Sequence, residues 1–284
     1  MKVLVTGVTG QLGFDVMREL ARRDIEAEGA TRKDFSLTEK EKAQKFIKDY
    51  RPDVVIHCAA YTAVDKAEDE PEVAMAINHD GTRMLAEICR DIDAKMIYIS
   101  TDYVFPGDGQ DFYEPPMPKD PKNVYGKSKL LGEEAVQEIL EKYFIVRISW
   151  VFGINGKNFV RTMLNLAETH KELTVVADQT GSPTYTFDLS RLLVDMAESD
   201  KYGVYHATNE GSCSWAEFAE EIFRQSGKEV KVTPVTSDKY PTKATRPKNS
   251  RLSKNSLDAA GFSRLPHWKD ALGRYLIELS TMLA

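Results

Sequence analysis

Lys2-Val3-Leu4-Val5-Thr6-Gly7-Val8-Thr9-Gly10-Gln11-Leu12-Gly13 opens the chain, and an apolar-periodic segment follows from Gln11 to Arg23. The reading is a short buried strand, a turn with glycines spaced Gly-x-x-Gly-x-x-Gly, and a helix. Glycines allow a tight turn and close backbone approach, and a helix N-terminus offers unpaired N–H groups, so the turn is shaped to receive a pyrophosphate. The spacing differs from Gly-x-Gly-x-x-Gly, but the physical demand is similar. A plain βα turn is the alternative. Glycines alone are weak evidence, and the flanking strand and helix give them weight.

The same rhythm continues outward. Val3–Thr6, Ile25–Ala30, Val54–Cys58, Met96–Ser100 and Phe144–Trp150 are short, near-continuous apolar runs, as strands buried on both faces should be. Helical patterns lie between them: Gln11–Arg23, a segment from Thr38 to about Tyr50 opened by the capping-box pattern Thr38-Glu39-Lys40-Glu41, Pro71–Arg90, and one after Asn123. Alternating strands and helices predict an α/β doubly wound parallel sheet. Gly107–Pro121, with four prolines, reads as a loop. Beyond Trp150 the pattern loosens into helices at Asn158–His170, Phe187–Ala197 and 214–225, the last opened by the capping box Ser214-Trp215-Ala216-Glu217. Strands are expected at Thr174–Val176 and Val204–Ala207, a loop at Lys239–Ser250, and a final helix from about His267. The expected division is a dinucleotide-binding domain over 1–150, to which parts of 174–210 return. A smaller C-terminal α/β substrate lobe takes 151–173 and 211–284.

Composition narrows the class. The chain has 284 residues, 42% hydrophobic and 29% charged, which suits one large globular domain with or without an appendage. A net charge of −6 without a Lys/Arg block argues against a nucleic-acid surface. Cys58, Cys89 and Cys213 are scattered, the usage of a reducing compartment. The apolar runs are too short to span a bilayer, and a strand starting at residue 2 leaves no room for a signal peptide. A soluble cytoplasmic protein with no membrane partner is expected.

Ligand-facing residues should gather at the carboxyl ends of the strands. After the second strand comes Thr31-Arg32-Lys33, where an acidic residue would favour NAD; two cations suit the 2′-phosphate of NADP. NADPH is therefore the expected cofactor, with NADH as a second donor. Asp34 is placed at the adenine amino group with Phe35 against the ring, and Ser36 competes for Asp34's role. Ala59 and Ala60, after the third strand, let a cofactor pass close to the backbone. His57 and Cys58 point to opposite faces by strand alternation, so they make no metal site.

Tyr125 and Lys129 stand four apart on a predicted helix face, roughly 5–6 Å apart at Cβ. An ammonium beside a phenol would lower its pKa towards neutrality and make it a usable general acid. An exposed Tyr and a solvated Lys are the bland alternative. Thr101, at the end of the fourth strand, adds a hydroxyl that can bond a substrate oxygen. Together they form a set for ketone reduction: Tyr125 protonates the oxygen, Thr101 orients it, and Lys129 tunes the phenol and grips the nicotinamide ribose.

On Gly7–Gly13, Ala59–Glu68, Ser100–Phe105, Asn123–Lys129, Arg147–Gly153, Asp178–Thr184 and Arg246-Pro247, nearly the whole chain resembles the extended short-chain dehydrogenase/reductases. Within them it resembles the dTDP-4-dehydrorhamnose reductase family. The resemblance implies a Rossmann domain with a sugar-nucleotide lobe, and reduction of the C4 ketone of a dTDP-4-keto-6-deoxy sugar with NADPH or NADH. It places Gly10, Gln11 and Leu12 at the pyrophosphate and Asp34 and Phe35 at the adenosine, with Ala59, Ala60 and Tyr61 along the cofactor path. It puts Val64, Tyr103 and Trp150 at the deoxysugar, with Asp102 beside them, and Arg246 and the Asp178–Thr184 loop at the diphosphate and thymidine. Trp150 and Tyr103 also suit a core role, Asp65, Lys66 and Glu68 a solvated helix start, and Arg246 a tie to the sheet. Some members use Mg²⁺ at a dimer contact; no carboxylate cluster is visible, so no metal site is expected, while a homodimer is compatible. The rival functions are an epimerase or reductase for another 4-keto sugar, and a non-catalytic regulatory subunit. Dehydratases of the wider family carry Asp-Glu after the Thr, whereas Thr101 is followed by Asp102 and Tyr103.

Overall fold

The computed structural model describes residues 1–283. In chain order the strands are β1 (Lys2–Thr6), β2 (Glu26–Ala30), β3 (Val54–His57), β4 (Lys95–Thr101), β5 (Tyr143–Ile148), β6 (Glu172–Val176), β7 (Gly203–His206) and β8 (Lys231–Val235). The longer helices are α1 (Gln11–Arg22), α2 (Lys40–Tyr50), α3 (Gly81–Ile92), α4 (Val124–Ile139), α5 (Phe159–Ala167), α6 (Thr186–Ala197), α7 (Trp215–Ser226) and α8 (Trp268–Leu283). Shorter pieces connect them.

Six strands form one wholly parallel sheet in the order β2-β1-β3-β4-β5-β7. Alternation along each strand feeds two cores. Val3, Val5 and Ile97 pack with Val16, Leu20 and Leu193 of α1 and α6. Leu4, Val55, Met96 and Ile145 pack with Ile47, Leu85 and Val136 of α2, α3 and α4. Strand order reverses between β1 and β3, which opens a crevice above their carboxyl ends.

A third core sits apart. Phe152, Tyr185, Phe218, Trp268 and Tyr275 cluster among α5, α7 and α8, beside the parallel pair β6–β8. The Ser214–Glu217 capping box forms as the sequence indicated. Among the described residues, no helix is long and apolar enough to cross a membrane.

Several local expectations are corrected. The Thr38 capping box does not form: α2 starts at Lys40, the Glu39 carboxylate accepts from the Ser36 N–H (3.0 Å), and the Thr38 hydroxyl meets that of Ser36. The segment over Pro71–Arg90 is not uniform: a π-turn at Ala76–Asp80 joins a short helix to α3. That extra residue turns buried Asn78 inward, where its amide binds both backbone groups of Tyr61 (2.8 and 3.0 Å) and the Ser128 hydroxyl (2.9 Å). β5 ends at Ile148, because Trp150 adopts a left-handed backbone (φ 50°). Within the expected loop at 239–250, Asn249–Ser250 pairs with Thr180–Gly181.

Candidate active site

The glycine turn is built by close approach. Gly7 is left-handed (φ 72°), and a Cβ there would lie 2.7 Å from the Ala59 nitrogen. A Cβ on Gly13 would lie 2.4 Å from the Gly7 oxygen. The turn is thereby pressed onto the end of β3, and α1 starts behind Gly10 with no side-chain cap. A cleft of about 590 Å³ runs from this turn along the sheet edge to Trp150. Gly7, Gly10, Gln11, Leu12, Gly13, Arg32, Phe35, Ala59 and Ala60 all line it.

Two cofactor assignments are corrected. Asp34 does not line the cleft: its carboxylate accepts from the Thr31 N–H (2.8 Å) and hydroxyl (2.7 Å), which hold it below the usual carboxylate range. Ser36 lines the wall instead, as its competing assignment allowed. Tyr61 also points away. Its phenol donates to Glu70 (3.0 Å), and Asn78 holds its backbone.

The catalytic group converges where β4 ends. Asn123 caps α4, its carboxamide oxygen accepting from the Gly126 N–H (2.7 Å), and Glu68 accepts from the Val124 N–H (2.8 Å). These bonds fix Tyr125 and Lys129 on the cleft wall beside Thr101. Glu68 is therefore part of the site's frame and not a solvated helix start. Asp65 likewise accepts from the Ala244 N–H (3.1 Å).

The electrostatics differ from the sequence expectation. Burial pushes the Tyr125 phenol well up, nearby Asp102 and Tyr103 add to this, and the Thr101 hydroxyl opposes it. Burial pushes the Lys129 ammonium down to about 7, with Glu133 opposing. Lys129 Nζ sits 4.0 Å from the centre of the Tyr98 ring. The cation thus does not pull the phenol towards neutrality: burial raises the phenol and lowers the ammonium, each towards its neutral form. Tyr125 keeps its proton throughout the physiological range, the state a proton donor needs.

Asp102 also belongs to the site's frame. It borders the cleft, but one oxygen accepts from Thr101 Oγ1 (2.9 Å) and the other from Ser250 Oγ (2.5 Å), and burial raises it to about 6. It ties β4 to the Asn249–Ser250 bridge. His57 is buried and bonded to Thr6 (2.7 Å) and Thr82 (3.3 Å). Among the described residues, no three His, Cys, Asp or Glu side chains converge as a metal site.

Tyr103 and Trp150 border both this cleft and a neighbouring cavity of about 960 Å³. Tyr103 lies edge-on to Tyr125, ring centres 5.5 Å apart. Trp150 stacks on Trp215, centres 3.6 Å apart and planes 11° off parallel, and Gly181 packs close to the Trp150 indole. Val64 lines the cleft; Arg246 lines the cavity, donating to the Tyr103 hydroxyl (2.9 Å) and to Asp65 (2.5 Å). Arg246 is therefore a tie between lobes as well as a cation facing the cavity. Of the Asp178–Thr184 loop, Gln179 reaches the cavity, while Asp178 accepts from the Ser237 N–H (2.9 Å).

Sequence reasoning missed Trp215, Asn78 and the segment 155–157, which borders the cleft opposite the glycine turn. Trp215 carried a signal as an aromatic inside a capping box. The other two depend on a π-turn and on the second lobe folding back.

The family described as RmlD substrate binding domain matches residues 1–281. The chain is 44% identical over 280 residues to the spore coat polysaccharide biosynthesis protein SpsK of Bacillus subtilis, covering 99% of this chain and 98% of that protein. It is 40% identical over 285 residues to the dTDP-4-dehydrorhamnose reductase of Sinorhizobium fredii, covering 96% of each. A crystal structure of dTDP-4-dehydrorhamnose reductase from Bacillus anthracis in complex with NADP superposes with a TM-score of 0.95 at 42% identity, covering 98% of this chain and 99% of that one. The similarity runs along the whole length, and the chain belongs to the RmlD substrate-binding family.

Proposed function

We propose that this protein is an NAD(P)H-dependent oxidoreductase that reduces the C4 ketone of dTDP-4-dehydro-L-rhamnose (dTDP-6-deoxy-L-lyxo-4-hexulose) to dTDP-L-rhamnose. One observation carries the reading: Thr101, Tyr125 and Lys129 stand where the glycine-turn cleft meets the cavity beyond Tyr103 and Trp150. The cleft fits a dinucleotide, with Arg32 at one end, a pyrophosphate-sized glycine turn in the middle and a neutral phenol at the other end. A bound dihydronicotinamide supplies the hydride.

The chain supplies the rest. Tyr125 donates its phenolic proton to the O4 oxygen as charge develops there. The Thr101 hydroxyl orients that oxygen. Lys129, its ammonium pushed down to about 7 by burial, favours the phenolate left behind and the ribose hydroxyls beside it. Trp150, backed by Trp215, gives the deoxysugar a flat wall. The apolar side chains Phe159, Met163, Leu173 and Val175, with Arg246 and Lys248, suit a thymidine and its diphosphate. In this reading the sheet domain handles the dinucleotide and the α5–α7–α8 lobe the sugar nucleotide, in the cytoplasm.

Arg32 at the β2 end supports a preference for NADPH over NADH. The test is NADPH oxidation with dTDP-4-keto-L-rhamnose against its C5 epimer. Rapid turnover of the first and slow turnover of the second is expected; oxidation with neither would overturn the reading.

A further inference from the structure

Segment 153–158 belongs to the second lobe, yet it is fastened over the glycine turn of the first. Gln11 Oε1 accepts from the Gly153 N–H (2.9 Å) and from Asn158 Nδ2 (3.0 Å). Asn155 Nδ2 donates to the Thr9 carbonyl (3.0 Å). Asn158 also caps α5, accepting from the Arg161 N–H (3.0 Å), and donates to the Gly153 carbonyl (2.8 Å). Gly156 at the crest is left-handed (φ 97°) and lies against the Gln11 side chain. The strap is therefore held at both ends by side-chain amides, and its next residue is Lys157.

Lys157 is exposed and lines the cleft with Gly10, Gln11, Asn155 and Gly156. The cleft has three cations. Arg32 belongs to the adenosine end and Lys129 to the phenol end, so Lys157 is the one over the middle, at the turn. Among the described residues it makes no ion pair and no side-chain hydrogen bond. The α1 N-terminus offers dipoles and N–H groups there, but its first turn contributes no full charge, whereas a pyrophosphate carries about two.

We propose that Lys157, presented by this strap, is a cofactor-binding residue that neutralises the dinucleotide's pyrophosphate from the substrate lobe. The proposal rests on the cofactor reading above. A contact to the pyrophosphate is common to NADPH and NADH, whereas the 2′-phosphate is not, so Lys157 and Arg32 have distinguishable signatures.

The experiment is fluorescence titration of the full-length protein with NADPH and with NADH, at low and raised KCl. Wild type is compared with Lys157→Met, Lys157→Arg and Arg32→Ala. Lys157→Met should weaken both dinucleotides about tenfold, less at high salt, as expected for one exposed charge-assisted contact. Lys157→Arg should restore most of that loss, and Arg32→Ala should weaken NADPH alone. Binding of both dinucleotides to Lys157→Met within twofold of wild type overturns the proposal and leaves the cofactor reading standing. So does a loss confined to NADPH. If wild type binds neither dinucleotide, both fall.

Discussion

Lys129→Met should abolish reduction and at the same time stabilise the protein, more at pH 6 than at pH 9. Burial drives the ammonium from its ordinary 10.5 to about 7 in the folded chain. At about 1.36 kcal/mol per pH unit, keeping this cation buried costs about 5 kcal/mol. The folded-state value is depressed, so below pH 7 both folded and unfolded chains carry the charge and the full cost applies. Between pH 7 and 10.5 the folded chain sheds the proton and the unfolded one keeps it, so the cost shrinks to about 2 kcal/mol at pH 9 and vanishes above 10.5. Methionine fills a similar volume and keeps a favourable sulfur contact with the Tyr98 ring. Urea unfolding of both proteins at pH 6 and pH 9 measures the effect. The variant's advantage should be larger at pH 6 by about 3 kcal/mol. An equal margin at both pH values, or a variant less stable at both, would refute the argument. Activity surviving in the variant would separately remove Lys129 from the catalytic group.

Tyr125→Phe removes the donated proton but no cofactor contact of consequence: kcat should fall by about 10²–10⁴ with NADPH affinity unchanged, and a rate within tenfold of wild type would end its role as acid. Gly13→Ala drives a Cβ to 2.4 Å from the Gly7 carbonyl, backbone against backbone. It should lower the melting temperature and abolish NADPH binding, read by calorimetry and fluorescence titration. Trp215→Ala withdraws the ring that backs Trp150 at 3.6 Å. The KM for the sugar nucleotide should rise more than that for NADPH, as it should in Trp150→Ala; the reverse order would move both rings out of the sugar site. Because burial raises Asp102 to about 6, its charge is a cost the folded wild type bears in full above pH 6, so the melting temperature of Asp102→Asn relative to wild type should be higher above pH 6 than below pH 4, with the KM for the sugar nearly unchanged.

Local chemistry decided what the sequence alone could carry. Continuous apolar runs fit only strands buried on both faces, and Gly7, Gly10 and Gly13 follow the first of them, so the parallel sheet and its phosphate turn were legible in residues 2–13. Tyr125 and Lys129 were legible as a pair because helix periodicity places them on one face. Their electrostatics were not, since desolvation depends on what covers them: Tyr98 beneath Lys129, Asp102 and Tyr103 around the phenol. Side chains with partners close in sequence likewise escaped a linear reading, as Asp34 turned back to Thr31 and Tyr61 turned to Glu70. The π-turn that aims Asn78, the Trp150–Trp215 stack and the strap carrying Lys157 join residues between 17 and 147 positions apart. Sequence periodicity reports only neighbours within a turn or two, so those contacts exist only once the chain has folded, and the strap only once the second lobe has packed against the first.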